Sequence, residues 1–275
     1  MLLKKNPKPF NFLCLRLFLL SIAAHGLAQE EPGFSPDRPG QSDGTFTVPP
    51  GFFQLEMGWD TAFNESGGVE DRQYQWPFTL LRMGLVEDLE LRLAWCGRIR
   101  GETRIGGNTL TDEGSGDAAV GARYRIRKGI SGGPAVALLA SMSVPVGDEG
   151  YSSERYDPAL KLACDQSLTE RLSLTVNLGI AWSTVPETPR DRDTLSTAGY
   201  SASLGIGLSP GVSAFIEVFG ETPASAPGGS SHGIDGGFAL VRKNRFHLDI
   251  SGGTGLSDDG PDWFAGFGFA FGWAR

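Results

Sequence analysis

Cysteine, histidine and long apolar runs are scarce in this chain. Of its 275 residues, three are cysteine and three are histidine. No Cys/His set has the spacing of a zinc site. Beyond residue 28 no segment approaches the ~18 consecutive apolar residues of a membrane-crossing helix. That excludes helical spans but leaves open a membrane β-barrel, where half the strand residues face a lumen. Positive charge is also in deficit, with 24 Lys and Arg against 32 Asp and Glu. The acidity argues against nucleic acid as a partner.

The first 28 residues differ from the rest. Lys4, Lys5 and Lys8 precede an apolar run from Phe10 to Ala24, broken by Asn11, Arg16 and Ser21. Gly26-Leu27-Ala28 then offers small residues at the −3 and −1 positions of a cleavage site. This is the pattern of a secretory signal peptide, residues 1–28, and it predicts export. The uninterrupted stretch Leu17 to Ala24 is too short for an anchoring helix of ~20 residues. No lipobox precedes Cys14. Cleavage would remove Lys4, Lys5, Lys8 and Arg16 but no acid, taking the net charge from −8 to −12.

What the chain does have is alternation. Phe267, Phe269, Phe271 and Trp273 are separated only by glycine or alanine. In a β-strand, alternate side chains point to opposite faces. One face of this segment is therefore wholly aromatic and the other nearly bare. Leu172, Leu174, Val176, Leu178, Ile180 and Trp182 likewise alternate with Ser173, Thr175, Asn177, Gly179 and Ala181. Twelve strand candidates follow: 51–63, 72–86, 88–101, 114–127, 133–145, 153–165, 171–183, 197–208, 211–221, 231–242, 245–256 and 262–274. A change of phase near Trp76-Pro77-Phe78 points to a bulge, because proline interrupts a ladder.

Long and short connections alternate between these candidates, as in outer-membrane barrels with long extracellular loops, short periplasmic turns and both termini in the periplasm. Trp59, Trp76, Trp95, Trp182 and Trp263 fall toward the outer strand ends. Trp273, with Tyr124 and Phe246, falls toward the periplasmic end. Such girdles are expected at membrane interfaces. A soluble barrel or sandwich also alternates with period two. Here, however, the less apolar face is mostly Gly, Ala, Ser and scattered charge, too small and polar for a dry core. The expectation is one all-β domain, a single antiparallel transmembrane β-barrel of about 12 strands over residues 51–275. Residues 29–50, with prolines at 32, 36, 39, 49 and 50, resist regular structure. They are expected to form a periplasmic segment or a partial plug.

Asp37-Arg38-Pro39, Phe46-Thr47-Val48-Pro49-Pro50-Gly51 and Gln54-Leu55-Glu56 resemble the opening signature of a bacterial outer-membrane family. That family is labelled putative MetA-pathway of phenol degradation and is often called simply "transporter". Leu80-Leu81-Arg82-Met83-Gly84-Leu85, Leu89-Glu90-Leu91-Arg92, Gly116-Asp117, Ser143-Val144-Pro145-Val146-Gly147 and Phe215-Ile216-Glu217-Val218-Phe219-Gly220 extend the resemblance over nearly the whole mature chain. The resemblance implies a barrel and the passage of small organic molecules; it brings no catalytic residues. One departure is that Ala274-Arg275 follow the terminal aromatic Trp273.

Charge placement supplies the candidate site. Alternation points Arg82, Arg92, Arg98, Arg123, Arg125 and Arg127 inward on the second to fourth strands, with Glu90 among them; Arg125 and Arg127 could instead sit at the periplasmic rim. Lys161 joins the lumen set. Inward acids are Glu56 and Asp60 on the first strand, and Glu217, Asp235 and Asp249 on the ninth to eleventh. A closed barrel would set a basic wall opposite an acidic one. Such walls either orient polar solutes in a transverse field or pair directly and brace a nearly closed interior.

Other constellations are weaker. Gly229-Ser230-Ser231-His232-Gly233 fits the nucleophile-elbow spacing, but that motif needs a strand–turn–helix setting. His247 is the one strand-interior histidine, with Asp249 its same-face acid. The acids at 112–113 and 258–262 lack EF-hand spacing. No cofactor or metal is expected. By strand position Cys96 faces the lumen and Cys164 the lipid, three strands or ~14 Å apart. A disulfide needs Cα atoms within ~7 Å, so both are expected to be free.

The expected function is passive diffusion of small organic, including aromatic, solutes through an outer-membrane channel, without enzymatic activity. A structural or surface-interaction barrel and an outer-membrane lipid hydrolase are the alternatives. Expected partners are outer-membrane lipid, the barrel-assembly machinery and the solutes. The expected location is the outer membrane of a Gram-negative-type bacterium.

Overall fold

A computed structural model describes residues 34–129, 133–188, 191–224, 229–243 and 245–275. The expected signal peptide, and residues 29–33 of the segment that follows it, lie outside these. The described residues form fourteen ladder segments: β1 (Phe52–Ser66), β2 (Val69–Val86), β3 (Leu89–Trp95), β4 (Arg98–Ile105), β5 (Asn108–Ser115), β6 (Ala118–Arg127), β7 (Ala135–Val144), β8 (Pro158–Ser167), β9 (Leu172–Thr188), β10 (Asp191–Ser209), β11 (Val212–Pro223), β12 (Ser231–Arg242), β13 (Phe246–Gly255) and β14 (Trp263–Ala274). β3 and β4 both pair with β2 and are one wall strand broken at Cys96-Gly97. β5 and β6 are likewise one strand broken at Gly116-Asp117. The wall therefore has twelve strands.

All the strand ladders are antiparallel, and apart from the closing pair β1–β14 they join wall strands that follow one another along the chain. β1 pairs with β2 on one side and β14 on the other, so the sheet closes on itself. Closure removes the unpaired edges that an open sheet would present. The outer surface is apolar: Phe238, Ile250 and Phe267 are register partners on three adjacent strands and lie 56–61% exposed. Leu138, Leu162 and Leu178 continue this belt as partners on β7, β8 and β9. An uncovered belt of this kind suits hydrocarbon rather than water. Stacked pairs Phe53–Trp273, Trp59–Phe267 and Phe63–Trp263 join β1 to β14 on this outer face.

Two expectations change. Arg98 does not face the lumen. Glu90 and Arg92 are buried inside, but beyond the break at Cys96-Gly97 the inward residues are Ile99 and Gly101. Arg98 is turned out and pairs with Glu113 at 2.5 Å. The cause is a bulge opposite Pro77, which cannot donate to the ladder. Gly97 has φ +74°, and a Cβ there would sit 2.4 Å from the Pro77 carbonyl oxygen. The second change concerns the long connections. β1–β2 and β4–β5 are hairpins that continue the wall strands and turn over two glycines each, Gly67-Gly68 and Gly106-Gly107, all with positive φ. Water on both faces of these extensions removes the period-two pattern, so alternation stops where the strands do not.

Arg125 bonds Asp88 at the rim beside the chain termini, and Arg127 is exposed there. Cys96 is buried, Cys164 is half-buried, and neither forms a disulfide.

Candidate functional site

Residues 34–50 lie inside the barrel. The chain enters at the end that holds both strand termini: Phe34 lies against Gly272, and Pro50 bridges to Gly84 at the same rim. Between these points the backbone makes a circuit of the lumen at mid-height. Seven of its amides and three of its carbonyls are met by wall side chains, as buried backbone groups require partners.

The circuit can be followed strand by strand. The Asp37 and Arg38 amides donate to Glu56 Oε2 on β1, at 3.0 and 3.1 Å. The Arg38 guanidinium donates to Asp249 on β13, at 3.3 and 3.1 Å. The Gln41 amide donates to Glu217 on β11 at 2.6 Å, and its side chain reaches Asp235 on β12 at 3.4 Å. The Ser42 hydroxyl meets Glu217 and Ser201. The Asp43 backbone exchanges two bonds with the Asn177 side chain, at 2.5 and 2.9 Å, and its carboxylate pairs with Lys161. The Thr45 amide and hydroxyl both donate to Asp165, at 2.7 and 2.8 Å. The Val48 amide donates to Glu90 at 2.7 Å.

Three buried arginines face this segment. Asp37 accepts from Arg92 at 2.6 Å and Arg123 at 2.5 Å, and pairs with Arg82 at 3.2 Å. Asp43 pairs with Arg92 and Arg123 at 3.1 and 3.2 Å. Arg82 also holds Glu90 at 2.9 Å and Glu56 at 3.2 Å, and donates to the Phe46 carbonyl at 2.8 Å. Removing such charges from water costs several kcal/mol per ion, offset only where geometry and hydrogen bonding are good. Here each arginine has at least two acid partners. Glycines provide the room. A Cβ at Gly58 would lie 2.0 Å from Arg38 Nη1, one at Gly268 2.3 Å from its Nε, and one at Gly84 1.9 Å from the Pro49 carbonyl oxygen.

Glu56, Arg82, Glu90, Arg92, Arg123, Lys161, Glu217, Asp235 and Asp249 thus all contact residues 34–50. Among the described residues Arg82, Arg92 and Arg123 form no salt bridge with Glu217, Asp235 or Asp249, while Glu56 pairs with Arg82 from the neighbouring strand. Asp37 and Asp43 answer the basic side, while Gln41 and Ser42 answer the acidic one. Asp60 behaves differently: it sits beyond the segment, on the wall of an open cavity.

That cavity occupies the half of the lumen away from the termini. It has a volume of about 180 Å³, and Arg38, Pro39, Gly40 and Gln41 form its floor. Its walls include Phe78, Phe219 and Phe264, with Asp60 and Gln75 among them. Phe219 and Phe264 meet edge-on at 5.9 Å. Sequence reading did not single out Asp37, Arg38 or Asp43 for the lumen, because an aperiodic stretch carries no facing signal. Asp37 and Arg38 had one signal, the motif Asp37-Arg38-Pro39, and Asp43 had none. The inward phenylalanines follow from strand phase, but only once the bulges are placed.

The elbow-like motif gains no catalytic setting. Ser231 and His232 open β12 rather than a helix, and Ser230 bonds Thr222 at 3.0 Å. His247 bonds Asp249 at 3.1 Å, which in turn holds Arg38.

A closed barrel of twelve antiparallel strands, apolar outside and polar within, is an outer-membrane β-barrel. Within that class, the chain belongs to the family described as Putative MetA-pathway of phenol degradation, whose model matches residues 36–273. Among solved structures, it is similar to an outer membrane channel from Pseudomonas putida F1, with TM-score 0.63 and 13% identity over 86% of this chain and 99% of that one. The translocator domain of the autotransporter NalP from Neisseria meningitidis gives TM-score 0.57 and 9% identity, over 80% and 88%. The transport unit of the autotransporter AIDA-I from Escherichia coli gives TM-score 0.53 and 9% identity, over 97% and 99%. No curated protein matches the sequence.

Proposed function

We propose that this protein is an outer-membrane channel for the passive diffusion of small organic solutes, aromatic ones among them. The observation that carries the reading is the 180 Å³ cavity, open toward one end of the barrel and floored by residues 38–41. A barrel needed only as a structural element has no use for an aromatic-walled vestibule. The description of the P. putida structure as a channel, and the family's link to phenol degradation, support the same reading. In this reading the signal peptide directs export, the assembly machinery inserts the barrel, and the termini face the periplasm. The vestibule then opens to the outside, and residues 34–50 form the constriction a solute must pass. Binding and diffusion require no catalytic group.

The ion network around Asp37 favours a second reading, a barrel braced shut that acts through its exposed hairpins. Liposome swelling with a graded series of neutral solutes separates the two. Uptake that falls with solute size supports the channel; a folded barrel that admits none supports the brace. Topology has its own check. In a background lacking Cys96 and Cys164, a cysteine replacing Asp258 is expected to react with an impermeant maleimide on intact cells. A cysteine replacing Ser209 is expected not to react, and the reverse pattern inverts the orientation.

A further inference from the structure

We propose that the vestibule binds ring-sized organic cations, with Asp60 as their charge partner and Phe219 and Phe264 as the surface for the ring. The inference rests on the channel reading and names a solute class for it.

The charge balance comes first. Arg82, Arg92, Arg123 and Lys161 share Asp37, Asp43, Glu56 and Glu90, and Arg38 has Asp249. Each of these buried bases is thus matched by an acid. Glu217 and Asp235, cross-strand partners on β11 and β12, have no such match. They accept from Gln41 and Ser42 and form no salt bridge among the described residues. Asp60 and Glu221 line the open space itself. The inward charge around the vestibule is therefore negative, and low-dielectric walls focus such a field.

Geometry singles out Asp60. Inward positions on β1 and β14 form successive rungs, Gly58 with Gly268 and Asp60 with Gly266, about 7 Å apart along the strands. The Arg38 guanidinium fills the first rung, where a Cβ at Gly58 or Gly268 would meet it. Its Nε and Nη2 are taken by Asp249. The Asp60 carboxylate lies on the next rung, over Gly266, where a Cβ would come within 2.1 Å of Oδ1. Asp60 is half-buried and lines the cavity. It makes no hydrogen bond or salt bridge among the described residues, and Arg38 acts on it only through space. A carboxylate partly removed from water without a partner is costly, and a cation in the vestibule supplies one.

The surroundings define the rest of the ligand. Phe264 is two residues from Gly266 on β14 and so shares its inner face. The Phe264 ring extends over Gly253 of β13, where a Cβ would lie 2.4 Å from Cζ. The Phe219 ring extends likewise over Gly233 of β12, at 2.5 Å. Asp60 and Phe264 thus lean around the wall in the same sense, from β1 toward β13. Aromatic faces attract cations and pack against other rings. A cavity of about 150 Å³ lined by apolar side chains accepts benzene, so 180 Å³ suits a single ring with a short arm. A protonated amine on that arm meets the carboxylate, the rings and the field together. An anionic ring end would face Asp60 and be disfavoured.

The test is calorimetric binding to the full-length, detergent-folded protein at neutral pH, using benzylamine, benzyl alcohol and benzoate, which share a ring and differ in charge. Benzylamine, protonated under these conditions, is expected to bind at least about tenfold more tightly than benzyl alcohol, with benzoate the weakest. Added salt is expected to weaken benzylamine and leave benzyl alcohol unchanged. Asp60→Asn is expected to narrow the gap between these two to within about threefold without changing benzyl alcohol binding. Heat-modifiable gel migration reports whether the variant is folded; should it not fold, the wild-type order and its salt dependence decide. Equal affinities for the three ligands, no benzylamine binding, or an unaltered gap in folded Asp60→Asn would overturn the proposal. Planar-bilayer recording under gradients of benzylammonium chloride and sodium benzoate separates the two levels. Conductance that favours neither organic ion, with equal affinities, removes the cation site and leaves the channel. Charge-ordered binding without conductance removes the channel and leaves the site.

Discussion

The two halves of the lumen are built on opposite rules. Toward the termini, wall and inner segment are joined by buried ions: Arg82, Arg92 and Arg123 against Asp37, Asp43, Glu56 and Glu90. Toward the hairpins, the wall is lined mostly by phenylalanine, glycine and polar groups around open space, with Asp60, Lys161 and Glu221 its charged members. The first half is specified by directional pairs that tolerate little displacement. The second places few demands on its contents. The difference teaches where rigidity and room reside: the ion-rich half fixes the inner segment in place, and the other half leaves the space that the proposed channel reading uses.

The largest expected effect breaks the first half. Asp37→Ala removes the acid shared by three buried arginines, and losing one member of a buried pair costs about 3–5 kcal/mol. Urea unfolding in vesicles is expected to show that loss, and planar-bilayer recording a larger conductance as residues 34–50 loosen. A variant of wild-type stability would mean that Asp43, Glu56 and Glu90 suffice for the arginines.

The next sharpens the inside–outside contrast. Leu178, on the lipid-facing belt, is 60% exposed. Leu178→Arg is expected to cost about 2–4 kcal/mol near the middle of the membrane. Ser251→Arg, which points into the vestibule, is expected to cost clearly less and to reduce solute uptake instead. Equal unfolding penalties for the pair would break the distinction.

A subtler change tests the boundary between halves. At Gly58 a single added methyl would meet the Arg38 guanidinium at 2.0 Å. Gly58→Ala is therefore expected to push Arg38 off Asp249 and alter the vestibule floor. In bilayer recordings the ionic selectivity should change, with stability lowered by less than in Asp37→Ala. Unchanged selectivity would show that Arg38 does not control the passage. The smallest effect is expected at a hairpin tip. Gly67 has φ +61°, and an added methyl there would meet no atom within 4 Å. Gly67→Ala should therefore cost only about 1–2 kcal/mol of backbone strain and leave uptake intact.

The wall was legible in the sequence because a sheet imposes period two and a membrane rewards one face of it. Leu174 to Trp182 and Phe267 to Trp273 show their facing without any partner strand. The number of wall strands follows from counting such segments, and the inward positions of Glu56, Arg82, Glu90, Arg92, Arg123, Lys161, Glu217, Asp235 and Asp249 follow from their phase. Where the phase breaks, local reading fails. Arg98 faces out because the Cys96-Gly97 bulge lies opposite Pro77, a fact about two strands rather than one.

What only the tertiary structure decided is how the lumen is filled. Residues 34–50 have no periodicity, so nothing local says whether they leave the barrel or enter it. Their place is set by contacts to strands far away in sequence, such as Arg38 with Asp249 and Thr45 with Asp165. The same holds for Asp60. Its neighbours in sequence give it the same inward facing as Glu56, yet one is bound to the inner segment and the other faces open space. Facing is a one-dimensional property that alternation can encode. Depth along the barrel, and what occupies the space in front of a side chain, depend on the closed wall and the segment folded within it.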